Sequence, residues 1–168
     1  YDVLIIYGFS EEEHREGDYN SVASYISGNS GDTHFTKRFG VQNVYIQYEP
    51  TLEDYAKGMN NSKITILASH GTIITKHRSS SICTNILIDF NDIEDSIYFE
   101  QMKTLYEGGL AVTEKTTDVV EICLLPDFFR KAYGSNGLDN TAVILDNCYS
   151  AYGHSPNNYY DSVLDAIV

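Results

Sequence analysis

The strongest constraint on this chain is a set of short apolar runs, each stopping abruptly at polar or turn-forming residues. Val3-Leu4-Ile5-Ile6-Tyr7 is closed by Gly8. Ile64-Thr65-Ile66-Leu67-Ala68 runs into Ser69-His70-Gly71, and Ala142-Val143-Ile144-Leu145 runs into Asp146-Asn147-Cys148. Short apolar runs bounded by turn signals read as buried strands of a parallel sheet. Polar groups at the carboxyl ends of such strands stand in the crevice where open α/β sheets bind ligands. If the second and third runs are neighbours, the chain brings an imidazole and a thiol to one place. That pair is the minimal apparatus of nucleophilic acyl transfer.

The segments between the runs supply crossovers. Asp18 is an N-cap for a helix with Tyr19, Val22, Ala23 and Ile26 on one face, ended by Gly28, and a polar loop spans residues 29–40. A second strand falls within 41–48, with Val44 and Ile46 inward. Pro50 and Thr51 then open a helix carrying Leu52, Tyr55, Ala56 and Met59 at helical spacing. Strand, helix, strand, helix, strand is the order of a parallel sheet with right-handed crossovers. Beyond His70 the pattern loosens. The Ser/Thr-rich stretch after it reads as a loop, Ile86-Leu87-Ile88 as a short strand, and 98–106 as a helix ended by Gly108-Gly109. The run 119–125 is ambiguous between strand and helix. Pro126 opens a helix with Phe128, Phe129, Ala132 and Tyr133, and Ser155-Pro156 open another with Tyr160, Val163, Leu164 and Ile167.

With 168 residues and no interdomain linker or internal repeat, the chain reads as a single domain over 1–168 with room for a proper core. A formal charge of −13 argues against nucleic acid as a partner, since phosphate binding needs clustered Lys and Arg. No run is long enough for a membrane helix, so no membrane insertion is expected. The chain opens on Tyr1 rather than Met, which fits a trimmed or processed start. The odd set Cys83, Cys123 and Cys148 leaves the redox compartment open, with an extracellular or cell-surface location preferred over the cytoplasm.

Taken singly, His70 and Cys148 are ordinary: a strand-end His is more often structural, and a buried Cys is common filler. Together, an apolar strand ending in His70-Gly71 and a later one ending in Asp146-Asn147-Cys148 resemble the caspase-like (clan CD) cysteine peptidases. The Asp-x-Cys form is nearest the clostripain and metacaspase branches. The resemblance implies a three-layer α/β/α fold with a mainly parallel sheet, here truncated after the Cys strand in a fragment of a longer chain. It also implies Cys148 as nucleophile, His70 as acid/base partner, and the backbone amides of Gly71 and Cys148 as oxyanion donors. Asp146, with Ser69 beside it, would line the pocket for an Arg or Lys before the scissile bond. The alternative for Asp146 is a turn or helix cap. The expected partner is therefore a protein or peptide substrate with a basic residue at that place.

Three departures from the family pattern stand out. The His-to-Cys spacing is longer than in caspases or the clostripain group, Asn147 stands where many relatives carry Ala, and little chain follows Cys148. Several relatives cut themselves near these strands, and Lys76 and Arg78 are the most exposed of the basic sites, ahead of Lys115, Arg130 and Lys131. No cofactor is expected beyond calcium, which some clostripain-like enzymes require. The acidic runs 11–13 and 89–95 do not match an EF-hand and read first as solvated loops. No metal-ligand spacing links the cysteines, and a zinc site from His70, Cys148 and a third ligand is unsupported by spacing. His14, His34, His77 and His154 read as surface residues. Two other readings stay open: a catalytically silent caspase-like binding module, and a flavodoxin-like ligand-binding domain. In the last one His70 and Cys148 are incidental, whereas the peptidase reading requires them on adjacent strands with side chains sharing one cleft.

Overall fold

The computed structural model describes residues 2–9, 43–89, 91, 96–115, 118–134, 137–138, 141–148 and 160–167. The expected helix after Asp18, the acidic run 11–13 and the segment 151–159 lie outside the described residues, as do His14, His34 and His154. Four parallel strands form the first sheet: β1 (Val3–Tyr7), β2 (Val44–Tyr48), β3 (Ile64–Ala68) and β8 (Ala142–Asp146), in the order β2-β1-β3-β8. The register runs Tyr7 beside Ala68 and Ala68 beside Asp146, so all carboxyl ends finish on one edge. The two strands that carry His70 and Cys148 are hydrogen-bonded neighbours.

The second sheet was not foreseen. It is antiparallel, in the order β4-β5-β7-β6, from β4 (Gly71–Ile74), β5 (Ser79–Asp89), β6 (Ala111–Lys115) and β7 (Val119–Leu124). The Ser/Thr-rich stretch read as a loop is therefore a hairpin. Only its tip, Thr75 to Arg78, is exposed, and Arg78 takes the left-handed conformation that closes the turn. Ser79, Ser80 and Ser81 are buried in β5, where the Ser80 hydroxyl accepts the Val163 amide at 2.9 Å. Strand β5 also extends well beyond the short strand expected at 86–88. At Asn85, with φ of 58°, it carries a bulge that shifts its register against β7. Side chains satisfy the bulge: the Glu121 carboxylate accepts the Asn85 amide, and Thr84 Oγ1 accepts the Ile86 amide while donating to the Ile122 carbonyl.

Helices join the sheets. α1 (Leu52–Lys57) begins at a full capping box between Thr51 and Asp54 and buries Leu52 and Tyr55. A 3-10 turn continues it, which places Met59 in the core. α2 (Phe99–Glu107) ends at Gly108, and α3 (Pro126–Tyr133) has Pro at its start and Gly134, φ 78°, at its end. α4 (Val163–Ile167) starts later than the expected helix, because Asp161 forms a strand-like bridge to Ser79 and Ser162 caps the first turn. One apolar core combines Leu4, Ile6 and Leu67 of the parallel sheet with α1, α3 and α4 and with Ile82, Ile122 and Leu124 of the antiparallel sheet. The opposite face of the parallel sheet gathers Val3, Ile5, Tyr7, Ile66 and Ala68, joined by Phe9 and by Val44 and Ile46 of β2. The architecture is mixed α/β with one parallel and one antiparallel sheet.

Candidate active site

The site begins where β1, β3 and β8 give out together. Gly8 donates its amide to the Ala68 carbonyl at 2.8 Å, and a Cβ at Gly8 would fall 2.6 Å from the Ser69 Cβ. Glycine is required there because β1 and β3 converge just before His70. Side-chain alternation then sorts the strand ends. Ala68 and Asp146 are register partners on the Tyr7 face, and His70 and Cys148 fall two residues further along. Two contacts bear this out. The His70 ring meets the Phe9 ring edge-on, with centroids 4.7 Å apart, on that face. On the other parity, Asn147 Nδ2 donates to the Ser69 carbonyl at 3.0 Å and to the Ser69 hydroxyl at 2.9 Å.

Asn147 is the residue whose role the sequence concealed. Standing where many relatives of the resembled family carry Ala, it fastens the β8 end to the β3 end across 78 residues of chain. Ser69 is buried, and its hydroxyl also donates to the His70 carbonyl at 3.2 Å. It becomes available to a substrate only by exchanging those bonds. His70, Asp146 and Cys148 are exposed, and Cys148 is a free thiol. All three therefore stand on the open rim, where an incoming chain can reach them.

Gly71 makes the closest approach. A Cβ built on it would lie 2.0 Å from the Cys148 carbonyl oxygen and 3.4 Å from the Asn147 Cβ. No side chain fits there without driving the two strand ends apart. The Gly71 amide has a defined direction as well. The Cys83 amide donates to the His70 carbonyl at 2.9 Å, and Gly71 pairs with Ile82 in the next rung. In an antiparallel pair hydrogen-bonded and non-hydrogen-bonded rungs alternate. The Gly71–Ile82 rung is therefore non-hydrogen-bonded, and the Gly71 N–H points off the free edge of β4, away from β5.

A cavity of about 520 Å³ lies elsewhere, lined by Leu52 and Ala56 of α1, Gln101 and Leu105 of α2, and Phe128 of α3. It contains none of the strand-end residues. Of the basic residues considered for self-cleavage, Lys76 and Arg78 occupy the exposed hairpin tip. Arg130 is held in α3 by a two-pronged ion pair with Asp161, both N–O distances being 2.6 Å. The acidic run 89–95 is described only at Asp89 and Asn91, where the Asp89 carboxylate accepts the Asn91 amide at 2.8 Å in a local turn. Among the described residues, no helix is long and apolar enough to cross a membrane. Comparison with family models, curated proteins and solved structures returned no match.

Proposed function

We propose that this chain is a cysteine endopeptidase of the caspase-like kind, with Cys148 as nucleophile and His70 as its acid/base partner. The observation that carries this reading is the pairing of β3 with β8, with Gly71 packed on the Cys148 backbone at their shared edge.

The reaction follows from the placement. The Cys148 thiolate attacks the scissile carbonyl, and the carbonyl oxygen takes the charge as the tetrahedral intermediate forms. The amides of Gly71 and Cys148 stabilise that oxygen, a contribution of about 100-fold or more for each such donor. His70 gives its proton to the departing amine, leaving an acyl-enzyme. Water activated by the same imidazole then hydrolyses the thioester. Asp146, exposed at the last position of β8, receives the cationic side chain of an Arg or Lys before the scissile bond. The acidic balance of the chain favours such a substrate in the encounter as well. In this reading the parallel sheet belongs to a three-layer caspase-like domain, and the antiparallel sheet is an insertion between the His and Cys strands.

Labelling with a peptidyl-Arg acyloxymethyl ketone tests the proposal. Wild type is expected to label covalently at Cys148, Cys148→Ala not at all, and a peptidyl-Asp probe far more slowly. Absence of Cys148-dependent labelling, with and without calcium, would overturn the enzyme reading in favour of a silent binding module. Labelling that prefers Asp, Asn or small apolar residues would remove Asp146 from the pocket.

A further inference from the structure

Among the described residues, Cys83 and Cys123 form an unassigned pair of reactive groups outside the candidate site. Cys83 of β5 and Cys123 of β7 are direct cross-strand partners, both buried, with the sulfurs 3.2 Å apart and the Cys123 thiol donating to Cys83. Because the Cys83 amide is turned toward β4, where it donates to His70, the Cys83–Cys123 rung is of the non-hydrogen-bonded type. Residues in such a rung have Cα atoms about 4.5 Å apart, inside the window of about 4.4–6.8 Å that disulfides span. Register, side-chain direction and sulfur separation all suit an S–S bond.

We infer that Cys83 and Cys123 form a redox-active dithiol that closes to an intramolecular disulfide, clamping β5 to β7 one hydrogen bond away from His70. With a hydroperoxide as oxidant, the Cys83 thiolate attacks the peroxide oxygen. The O–O bond breaks, and water leaves once its oxygen is protonated, giving a sulfenic acid on Cys83. The Cys123 sulfur then attacks that sulfur, forming the S–S bond and releasing a second water. Two thiols and one hydrogen peroxide give one disulfide and two waters. The hydrogen bond to Cys83, then burial and the Glu121 charge, hold the Cys123 thiol well above its ordinary range. Cys123 is thus the proton-bearing, second-acting partner, and closure proceeds slowly at neutral pH.

The Glu121 carboxylate lies close enough to the two sulfurs for the trio to be considered as metal ligands. A tetrahedral zinc with bonds of about 2.3 Å holds its sulfurs about 3.8 Å apart. The observed sulfurs are closer, and Glu121 is already committed to the Asn85 amide. The geometry favours S–S closure over metal binding.

The test uses the full chain carrying Cys148→Ala, so that Cys83 and Cys123 are its only thiols. After reduction, alkylation in denaturant is expected to add two groups. After hydrogen peroxide it should add none, with the mass lowered by two hydrogens and one cross-linked 83–123 peptide. The melting midpoint should rise by about 10 °C, reversed by dithiothreitol, as expected for a cross-link closing a loop of this length. Hydrogen exchange at the Cys83 amide should slow in the oxidised form. The isosteric Cys123→Ser variant should show neither the cross-link nor the shift. Two results would overturn the inference: both thiols still alkylating after exposure sufficient to oxidise them in denaturant, or stoichiometric zinc uptake that blocks oxidation.

Discussion

At the scale of single residues, the site depends on what Gly71 lacks. Its missing side chain lets the start of β4 lie on the Cys148 carbonyl, and the same position aims an amide off the sheet edge. Gly71→Ala places a methyl where backbone already stands, and backbone cannot rotate away as a flexible side chain would. The two strand ends must separate, which moves Cys148 relative to the Gly71 amide. The expected outcome is a fall of at least about 100-fold in the rate of covalent labelling at Cys148, the size of one lost oxyanion donor. Far-UV circular dichroism should stay unchanged, because both sheets are paired by ladders that do not involve this contact. If labelling persists at the wild-type rate, Gly71 has no part in the chemistry. His70 and Cys148 were legible in the sequence because each follows an apolar run, and a run's end is a local feature. Asn147 was not legible as a fastener. Its two bonds to Ser69 exist only once β3 and β8 are paired.

At the scale of elements, local signals decided what could be read. The β1, β3 and β8 strands announced themselves as apolar runs, α1 by its Thr51 cap, and α3 by Pro126 and Gly134. The antiparallel sheet stayed hidden because β5 buries hydroxyls alongside its hydrocarbon. Ser79 to Ser81 and Thr84 look like loop residues until their partners, which are distant in sequence, are in place. The Cys83–Cys123 pairing was equally out of reach, because it depends on a register reset by the Asn85 bulge. The docking of α4 belongs to the same class. The Asp161 backbone bonds to both Arg78 and Ser80, while its carboxylate is gripped by Arg130, whose guanidinium is held firmly protonated by that partner. Arg130→Met keeps the aliphatic stem and removes the fork. Both side chains are more than a third exposed, so solvent screening limits the pair to about 1 kcal/mol. Urea unfolding should show a loss of that size at low salt. The difference should shrink in 1 M salt, where the screening length falls to about 3 Å. A loss that is insensitive to salt would assign the effect to packing of the stem.

At the scale of the whole molecule, one core is shared by both sheets, with Tyr55 inside it and Tyr133 packed against it. Tyr55 is completely buried, with its hydroxyl directed at the Thr84 carbonyl, and the Tyr133 hydroxyl donates to the Tyr55 carbonyl at 2.5 Å. Together they tie α1 to β5 and α3 to α1. Burial pushes both phenols above the ordinary tyrosine range, and the Glu121 charge adds to the effect at Tyr55. A folded-state value raised above the unfolded one leaves stability intact below the unfolded value of about 10 and erodes it as pH climbs past that point. Above it the unfolded chain gives up protons that the folded chain keeps. Each such group contributes a slope of about 1.4 kcal/mol per pH unit, so the two together steepen the alkaline limb by about 2.7 kcal/mol per unit. Urea titrations between pH 10 and 12 should follow that slope. Tyr133→Phe retains the ring and loses the ionisable group, and should reduce the limb by about half while lowering neutral-pH stability by about 1 kcal/mol for the lost hydrogen bond. If its alkaline limb matches wild type, the coupling between helix packing and phenol protonation described here is wrong.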